Sequence, residues 1–385
     1  METTDTKDDT GAETAAPVIS EVKKWSPRNM QRWQKKRLIG SFLMVVIIGI
    51  SFLGITLTSL YSDKISEDDD WVSVMQTDPA TQKRVKELSG EETKVLCGTY
   101  IENLKQISLK NSNYSVEFLV WFRWEGDKIK DMTNNFRVYK GSITENDLVR
   151  NYYKNGVHYQ QFRCDATISK NFWTRRFPLE SHQLRFYIEA NPTVKELVFV
   201  ADDKNSGVNP SMGISGYKLM RNTVGVVNYE YLNTQSDPVI GKAPVHSELV
   251  TALEINRSTW GLYVKCFIAL FGTTTWVLIT LFLNTYHKVD PLGMIPAALF
   301  GTVSNIMVGA NLLPDALQLG LIEYVNIWGV MIILAVTFAI ININRIRSKY
   351  EDKEFAVFYG RIMFYTILTL TVVGNVSLPI TAFRF

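Results

Sequence analysis

The chain has 385 residues, of which 46% are hydrophobic and 21% charged, and its formal net charge is +3. This length allows two or three domains, while the total charge says little about partners, and no nucleic acid is expected among them. The hydrophobic residues are unevenly spread, which excludes an entirely soluble protein. Five long apolar runs, in which Lys265 and Glu323 are the only charged residues, have the length of membrane spans, at 38–60, 260–286, 292–313, 319–343 and 362–382.

The placement of Lys and Arg predicts how these spans are oriented. Basic residues cluster before the first run, at Lys288 between the second and third runs, and from Arg345 to Arg361 between the fourth and fifth, whereas 314–320 has none. By the positive-inside rule, the N-terminus is cytoplasmic and the C-terminus extracytoplasmic. We expect a multi-pass protein of the cell (inner) membrane, with residues 61–258 outside.

A cleaved signal peptide is the alternative interpretation of the first run. The run is longer than the apolar core of such peptides, a polar tail of 37 residues precedes it, and no small-residue cleavage site is obvious after it. We therefore expect a retained membrane anchor.

Between the first two runs, apolar residues follow a period of two, which is typical of half-buried strands. Asn155 and Gly156 form the dipeptide preferred in two-residue hairpins, and almost no helix pattern occurs. The sequence therefore predicts an antiparallel, immunoglobulin-like β-sandwich, with strands at 95–109, 114–124, 148–153, 157–168, 183–189, 196–201, 223–232 and 247–257.

The segment before the first strand, 61–92, is predicted to be a charged connector with a short helix near 79–88. Its acidic cluster could attract cations, although a solvated face is the expected role; the cluster consists of Glu67, Asp68, Asp69 and Asp70. The predicted last strand ends at Arg257, within three residues of Trp260 and the second apolar run. Any movement of the sandwich would therefore pull directly on a membrane helix.

Two of the three cysteines, Cys97 and Cys164, fall in the predicted sandwich. Their spacing leaves open whether they form a disulfide or are buried free thiols. Cys266 lies in the second apolar run, where packing is its expected role. No metal site and no cofactor are predicted.

The strongest local motif is FWTRRFPLESHQLRFYIE, at 172–189. It resembles a loop of the pentameric ligand-gated ion channels, the Cys-loop receptor superfamily, which joins two strands and ends in Arg-Arg-aromatic-Pro-x-Asp-x-Gln-x-Leu. Here Glu180 replaces the usual Asp. The matching positions are Arg175, Arg176, Phe177, Pro178, Glu180, Gln183 and Leu184.

The resemblance extends over about residues 93–385. The segments 97–109 and 118–124 are similar to the first two strands of prokaryotic members, Arg257 to the basic residue before the first channel helix, and 305–314 to the end of the pore helix. The resemblance implies a homopentamer in the lipid bilayer that conducts inorganic ions through four helices per subunit. The span at 38–60 is additional to the family pattern.

The resemblance also implies an agonist pocket near Tyr229, Tyr231 and Asp202, the last in the 200–205 loop. The cysteines that bracket the motif in animal receptors are absent, and the Trp-x-Pro segment of the agonist site is not recognisable at 128–144. A tyrosine pair on a strand also suits a sandwich core, so both roles stay open. A small ligand such as an amine, a proton or a divalent cation is compatible as the agonist.

In the predicted pore helix, spacing puts one set of side chains on a single face, comprising Leu292, Pro296, Leu299, Val303 and Ile306. In a pentamer these apolar rings would close the pore by dewetting, whereas the alternative role is a stripe packed inside a bundle. Pro296 is expected to kink or loosen the helix. Lys288 or Asp290 would form the selectivity ring, and cation conduction is expected because prokaryotic members commonly conduct cations.

By resemblance, coupling between the sandwich and the channel would involve Phe177, Pro178, Glu180, Arg257 and Pro314. Phe177 would insert among helix ends, while Glu180 would pair with Arg257, mainly fixing geometry. The acid usual in the family's first hairpin is replaced around Lys110 and Asn111, which puts a wider charge network in doubt.

An enzyme is not expected, because the four histidines are scattered and no catalytic motif is present. A secondary transporter would show repeated halves, which five spans with one large insertion do not. The predicted α+β membrane protein has a tail at 1–37, a transmembrane helix at 38–60, a connector at 61–92, a ligand-binding β-sandwich at 93–257 and a four-helix channel domain at 258–385. We predict a ligand-gated ion channel subunit; the alternative is a membrane-anchored sensor or binding protein of the same fold that does not conduct.

Overall fold

The computed structural model describes residues 26–73, 75–214, 216–234, 243–257, 260–313 and 319–383, and for 308–312 the backbone alone. Most of the predicted tail and the predicted coupling residue Pro314 lie outside the described residues. Within them, the chain is mixed α/β, with two β-sheets followed by long apolar helices and preceded by one.

The described strands are β1 Thr93–Ser108, β2 Asn113–Glu125, β3 Phe136–Tyr139, β4 Gly141–Lys154, β5 Val157–Ser169, β6 Ser181–Ala190, β7 Leu197–Ala201, β8 Gly207–Val208, β9 Tyr217–Glu230 and β10 Val245–Arg257. They form two sheets. The first has the order β4–β5–β2–β1–β7, with β8 also paired to β1, and the second has the order β3–β6–β10–β9.

All eight predicted strands are present, but their number, two of their starts and their direction differ from the prediction. The short strands β3 and β8 were not predicted, β4 begins at Gly141 rather than at 148, and β9 begins at Tyr217 rather than at 223. β7 and β8 run parallel to β1, so the first sheet is not purely antiparallel as expected.

The core between the sheets follows the period of two that β2 predicts. Alternate β2 side chains from Tyr114 to Trp124 are buried, because successive side chains of a strand point to opposite faces. Phe118 of β2 meets Phe186 of β6 across the interface, with ring centroids 4.8 Å apart. Burial of large aromatic side chains of this kind contributes much of the stability of a two-sheet core.

The described helices are α1 Arg32–Ser73, α2 Pro79–Leu88, α3 Gly261–His287, α4 Ile295–Leu312, α5 Leu321–Lys349 and α6 Lys353–Ala382. Four of them, α1, α3, α5 and α6, are long and apolar enough to cross a membrane, and a shorter apolar helical stretch spans Leu292–Met307. These helices indicate a membrane protein. α2 coincides with the helix predicted at 79–88, and the carboxylate of Asp78 caps it by accepting from Ala80 and Thr81 amides.

The first helix is much longer than its apolar run, which corrects the predicted organisation at 38–92. α1 has 42 residues and is therefore about 63 Å long, roughly twice the thickness of a hydrocarbon core. Its apolar part packs on α5 and α6, where Phe52 stacks on Trp328 at 5.9 Å and Ser59 hydrogen-bonds with Tyr324 at 3.1 Å. Its charged part continues to Ser73, where a connector was expected.

The acidic cluster of this charged part is only partly the solvated face that the sequence suggested, since Asp69 is exposed but Glu67 is not. Glu67 is only 2% exposed and pairs with Arg176, while Asp70 pairs with Arg185 at 2.7 Å. The helix continues beyond its apolar run, where its carboxylates pair with Arg176 of the segment between β5 and β6 and with Arg185 of β6.

Pro296 does not kink the apolar helix, contrary to expectation. A single 3-10 turn, Leu292–Met294, precedes α4, and Pro296 lies in the first turn of α4. Proline is well accommodated there, because first-turn amides have no partner within the helix.

The structure contains no disulfide between Cys97 and Cys164: Cys97, Cys164 and Cys266 are all free and buried.

Candidate functional site

The segment between β5 and β6 forms a turn at the junction of the sheets and the helices. Phe177 is 3% exposed, and the peptide bond between Phe177 and Pro178 is cis. The guanidinium of Arg257, at the end of β10, lies 5.7 Å from the centre of the Phe177 ring. The turn therefore packs beside the residue from which the chain continues towards α3.

Glu180 collects hydrogen bonds at the start of β6. Its Oε1 accepts from Arg257 Nε at 2.9 Å and from the Tyr217 hydroxyl at 2.9 Å, and His182 Nε2 lies 3.5 Å away. The Arg257 guanidinium also covers the Tyr217 ring at 4.1 Å. The ion pair that the sequence predicted between Glu180 and Arg257 is thus present, with the Glu180 side chain only 1% exposed.

The environment of Glu180 favours its charged form. Burial raises the pKa of a carboxyl group, but the neighbouring His182 ring, 3.5 Å away, and the charge of Arg257 outweigh burial and lower the pKa of Glu180 below its ordinary value. Burial lowers the pKa of His182, although Glu180 opposes this effect. His182 is therefore neutral at pH 7, beside the charged pair of Glu180 and Arg257.

The same turn touches the beginning of α5. The Leu321 amide donates to the carbonyl oxygen of Arg175 at 2.7 Å, and the Glu323 carboxylate caps the helix by accepting from the Gly320 amide at 2.8 Å. A Cβ atom at Gly320 would lie 2.5 Å from the Arg175 carbonyl oxygen. Glycine is therefore needed for this close approach between a loop backbone and a helix N-terminus.

Arg176 connects this turn to α1, a contact that was not predicted from the sequence. Its side chain is 1% exposed; Nε donates to Asp63 at 3.2 Å, and Nη2 donates to Glu67 and Ser181. Asp63, Glu67 and Asp70 are spaced four and three residues apart, which places them on one helix face. That spacing was a usable signal, because it continues a helical period beyond the apolar run.

The predicted agonist-pocket residues lie in two different places. Tyr229 and Tyr231, at the end of β9, form an aromatic cluster with Tyr139 of β3, with centroid distances of 5.0–6.5 Å. Asp202 follows β7 in the other sheet, where it accepts from Trp121 Nε1 at 3.3 Å and from Asn205 Nδ2 at 2.9 Å. Tyr139 was missed because a four-residue strand carries too little pattern.

Asp202 borders a cavity of about 610 Å³ on the first sheet. The residues that line this cavity include three aromatic and two charged side chains, namely Trp121, Tyr152, Tyr159, Arg123 and Asp202. Aromatic walls with a few charged groups are typical of small-ligand sites.

Two glutamates pair beneath the tyrosine cluster, and the sequence did not reveal them. Glu248 of β10 lies directly opposite Glu189 of β6, and both are buried. Glu189 accepts from Arg137 Nε at 2.8 Å and from the Tyr231 hydroxyl at 2.8 Å. Burial and the neighbouring charge of Glu189 raise the pKa of Glu248 to about 8. The Glu248 carboxyl therefore carries a proton at neutral pH.

α4 buries one face against its own chain and leaves the other open. Asn305 is buried and donates to Asn326 of α5 at 2.8 Å, which explains a polar residue in an apolar helix. The buried set is Ile295, Ala298, Thr302 and Asn305.

Of the predicted pore face, Pro296, Val303 and Ile306 are exposed, while Leu292 and Leu299 are half-buried. Phe300 and Met307 are also exposed, so the open arc of α4 is wider than the predicted stripe.

The candidate selectivity residues lie in the short link between α3 and α4. Both Lys288 and Asp290 are exposed. Asp290 Oδ1 accepts from the Leu292 amide at 3.3 Å, which caps the following turn, and Asn284 donates to the Val289 carbonyl at 2.8 Å. The link is thus fixed by its own hydrogen bonds, with one cation and one anion at its surface.

No protein-family model matches this sequence, and no curated protein matches it either. Among the described residues, no group of three or more His, Cys, Asp or Glu side chains is placed to hold a metal ion.

Proposed function

We propose that this chain is a subunit of a ligand-gated ion channel. In this proposal the two sheets form an extracytoplasmic sandwich, α3–α6 form a four-helix channel bundle, and five copies surround a pore. The observation that carries it is the junction: the 175–180 turn bonds to Arg257 at the end of β10 and, through Leu321, to the start of α5. A change in the sheets would therefore reach two membrane helices at once.

The open arc of α4 supports the pore assignment. Val303 is 54% exposed and Phe300 is 73% exposed, although α4 packs between α3 and α5 on its other side. Five such faces around an axis would build apolar rings that exclude ions when narrow and admit them when wide. We assign cation conduction to the Lys288–Asp290 link, with Asp290 as the selecting acid, and retain α1 as a membrane anchor with a cytoplasmic N-terminus.

Opening would be a population shift, since a ligand favours the open state only by binding it more tightly. The tyrosine cluster, the Glu189–Glu248 pair and the Asp202 cavity are the candidate sensing sites, for a small ligand, a proton or a divalent cation. Tyr229 lies on the second sheet and Asp202 beside the first. In a ring of copies, the face of one subunit that carries Tyr229 would meet the face of its neighbour that carries Asp202.

Substituted-cysteine accessibility tests the pore. Val303→Cys should react with a charged, membrane-impermeant thiol reagent and lose current, because a pore-lining side chain is reached through water. Ile55→Cys is the matched control: Ile55 of α1 is 72% exposed but would face lipid, so its current should not change. Loss of current in both variants or in neither would contradict the pore assignment.

Bilayer recording and imaging separate the channel from the non-conducting sensor. Purified protein should give single-channel currents during acid, calcium or small-amine steps, and particles should show fivefold symmetry. Asp290→Asn should shift the reversal potential in a salt gradient, whereas Lys288→Gln should not. Silence under every condition would favour the sensor, and unchanged reversal potentials in both variants would discard the filter assignment.

A further inference from the structure

The charged half of α1 and the helix α2 run along the outside of the second sheet. We call residues 61–73 and 75–88 the strap. Its contacts begin at the membrane end of that sheet and finish at the opposite end, where β9 stops at Glu230 and β10 starts at Val245.

The strap is anchored first at the membrane end. Glu67 pairs with Arg176 and accepts from Ser181 Oγ at 2.6 Å, while its backbone carbonyl accepts from Gln183 Nε2 at 2.6 Å. Both charged side chains of the pair are at most 2% exposed. A buried pair of this kind specifies geometry more than it adds stability, so the position of the 175–180 turn depends on α1.

The middle of the strap is held by apolar and cation–π contacts. Trp71 and Met75 pack on a small cluster of β9 and β10 side chains that includes Val227 and Val250. The Arg221 guanidinium lies 4.3 Å from the centre of the Trp71 ring. A Cβ at Gly225 would lie 2.6 Å from the Met75 sulfur, so the Met75 side chain packs directly on the backbone of β9.

The far end of the strap contacts both ends of the hairpin that joins β9 and β10. Arg84 of α2 pairs with Glu230 at the end of β9, and its Nη2 donates to the Ala243 carbonyl, just before β10, at 2.6 Å. The tip of the hairpin, 235–242, lies outside the described residues. One guanidinium therefore joins the two strands at the base of the hairpin, close to Tyr229 and Tyr231.

We propose that the strap is a second mechanical link that transmits displacement of the β9–β10 hairpin to the 175–180 turn, in parallel with the covalent junction between β10 and α3. Its ends contact the base of the β9–β10 hairpin and the turn, and its first part, 61–73, is helix continuous with an apolar span. Its effect on ion flow rests on the proposed function, whereas its transmission along the sheet does not.

Amide hydrogen exchange on the purified full-length protein tests this transmission without requiring current. Arg84→Ala removes the contacts of the strap with Glu230 and Ala243. Amide exchange should then become about tenfold faster near Glu230 and also in the 175–180 turn, which is the expected result of losing a charged hydrogen bond. Lys83→Ala is the matched control: Lys83 is the exposed neighbour on α2, so removing its charge should leave both regions unchanged. Glu230→Gln should reproduce the effect of Arg84→Ala.

The outcomes separate the strap from the channel. Faster exchange confined to the hairpin, with no change in the turn, would overturn the strap as a link. Faster exchange in both regions, with the pH or calcium midpoint of activation shifted in Arg84→Ala at unchanged conductance, supports the link. Faster exchange in both regions in a protein that never conducts would support the strap and refute the channel.

Discussion

Replacement of Arg257 by alanine should expose the cost of a buried, unpaired carboxylate. The Glu180 side chain is 1% exposed and that of Arg257 14% exposed, so the remaining charge would stay largely shielded from water. Removing one partner of a buried pair typically costs about 3–5 kcal/mol. Since each kcal/mol moves the Tm of a domain of this size by roughly 2–4 °C, we expect a fall of about 10 °C at pH 7.

The pH dependence of this loss identifies its cause. The pKa of Glu180 is lowered in the folded protein, so the stability that the carboxylate contributes is present above its unfolded pKa and is lost as the pH falls through the folded pKa. In Arg257→Ala the carboxylate would take up a proton at a higher pH. The difference in Tm between the wild type and the variant should therefore shrink on acidification.

The assay is thermal unfolding of the detergent-purified protein at pH 7 and pH 4.5, followed by tryptophan fluorescence. His182 and Tyr217 also face Glu180, so the double variant Glu180→Gln/Arg257→Ala, which lacks the orphaned charge, is the control and should recover most of the loss. Equal losses at both pH values, with no recovery in the double variant, would refute the reasoning.

Two further predictions concern the acid pair and the start of α5. Because the pKa of Glu248 is raised to about 8, the carboxyl of the wild type destabilises the fold as the pH rises from its unfolded pKa to 8. Glu248→Gln should therefore raise the free energy of unfolding at pH 8.5 by a few kcal/mol, at about 1.4 kcal/mol per pKa unit, which is measured as a higher Tm, and have little effect at pH 4. Gly320→Ala places a Cβ against the Arg175 carbonyl and should cost the hydrogen bond from Leu321. If the proposed channel function holds, a loss of about 1 kcal/mol should shift the activation midpoint roughly fivefold, whereas Gly272→Ala, at a position with open space, should leave it unchanged.

Short-range patterns predicted most of the sheets, and their failures have local reasons. β2 and β5 alternate between buried and less buried positions, so a period of two located them. β4 is exposed or half-buried along its whole length as the edge of its sheet, so no alternation marks its first half, and only 148–153 was predicted. A strand without a buried face carries no periodic signal.

The full length of α1 was not predicted, because the charge pairs of its second half join residues far apart in the sequence. The apolar run ends at Leu60, but the helix continues because Asp63 and Glu67 both meet Arg176, more than 100 positions away in the sequence. No local pattern reveals which arginines will come near. The Glu180–Arg257 pair, by contrast, was predicted, because a motif resemblance supplied the partner that spacing could not.

The 175–180 turn is held from three directions, each leading to a different membrane helix. The acids of α1 hold Arg176, Arg257 holds Glu180 and continues towards α3, and the Leu321 amide of α5 holds the Arg175 carbonyl. In the proposed channel, the acids of α1 would supply the charge that the first hairpin lacks at Lys110 and Asn111. A turn held in this way can move only if at least one of these contacts is exchanged for another, which makes it suited to two discrete positions rather than to gradual displacement.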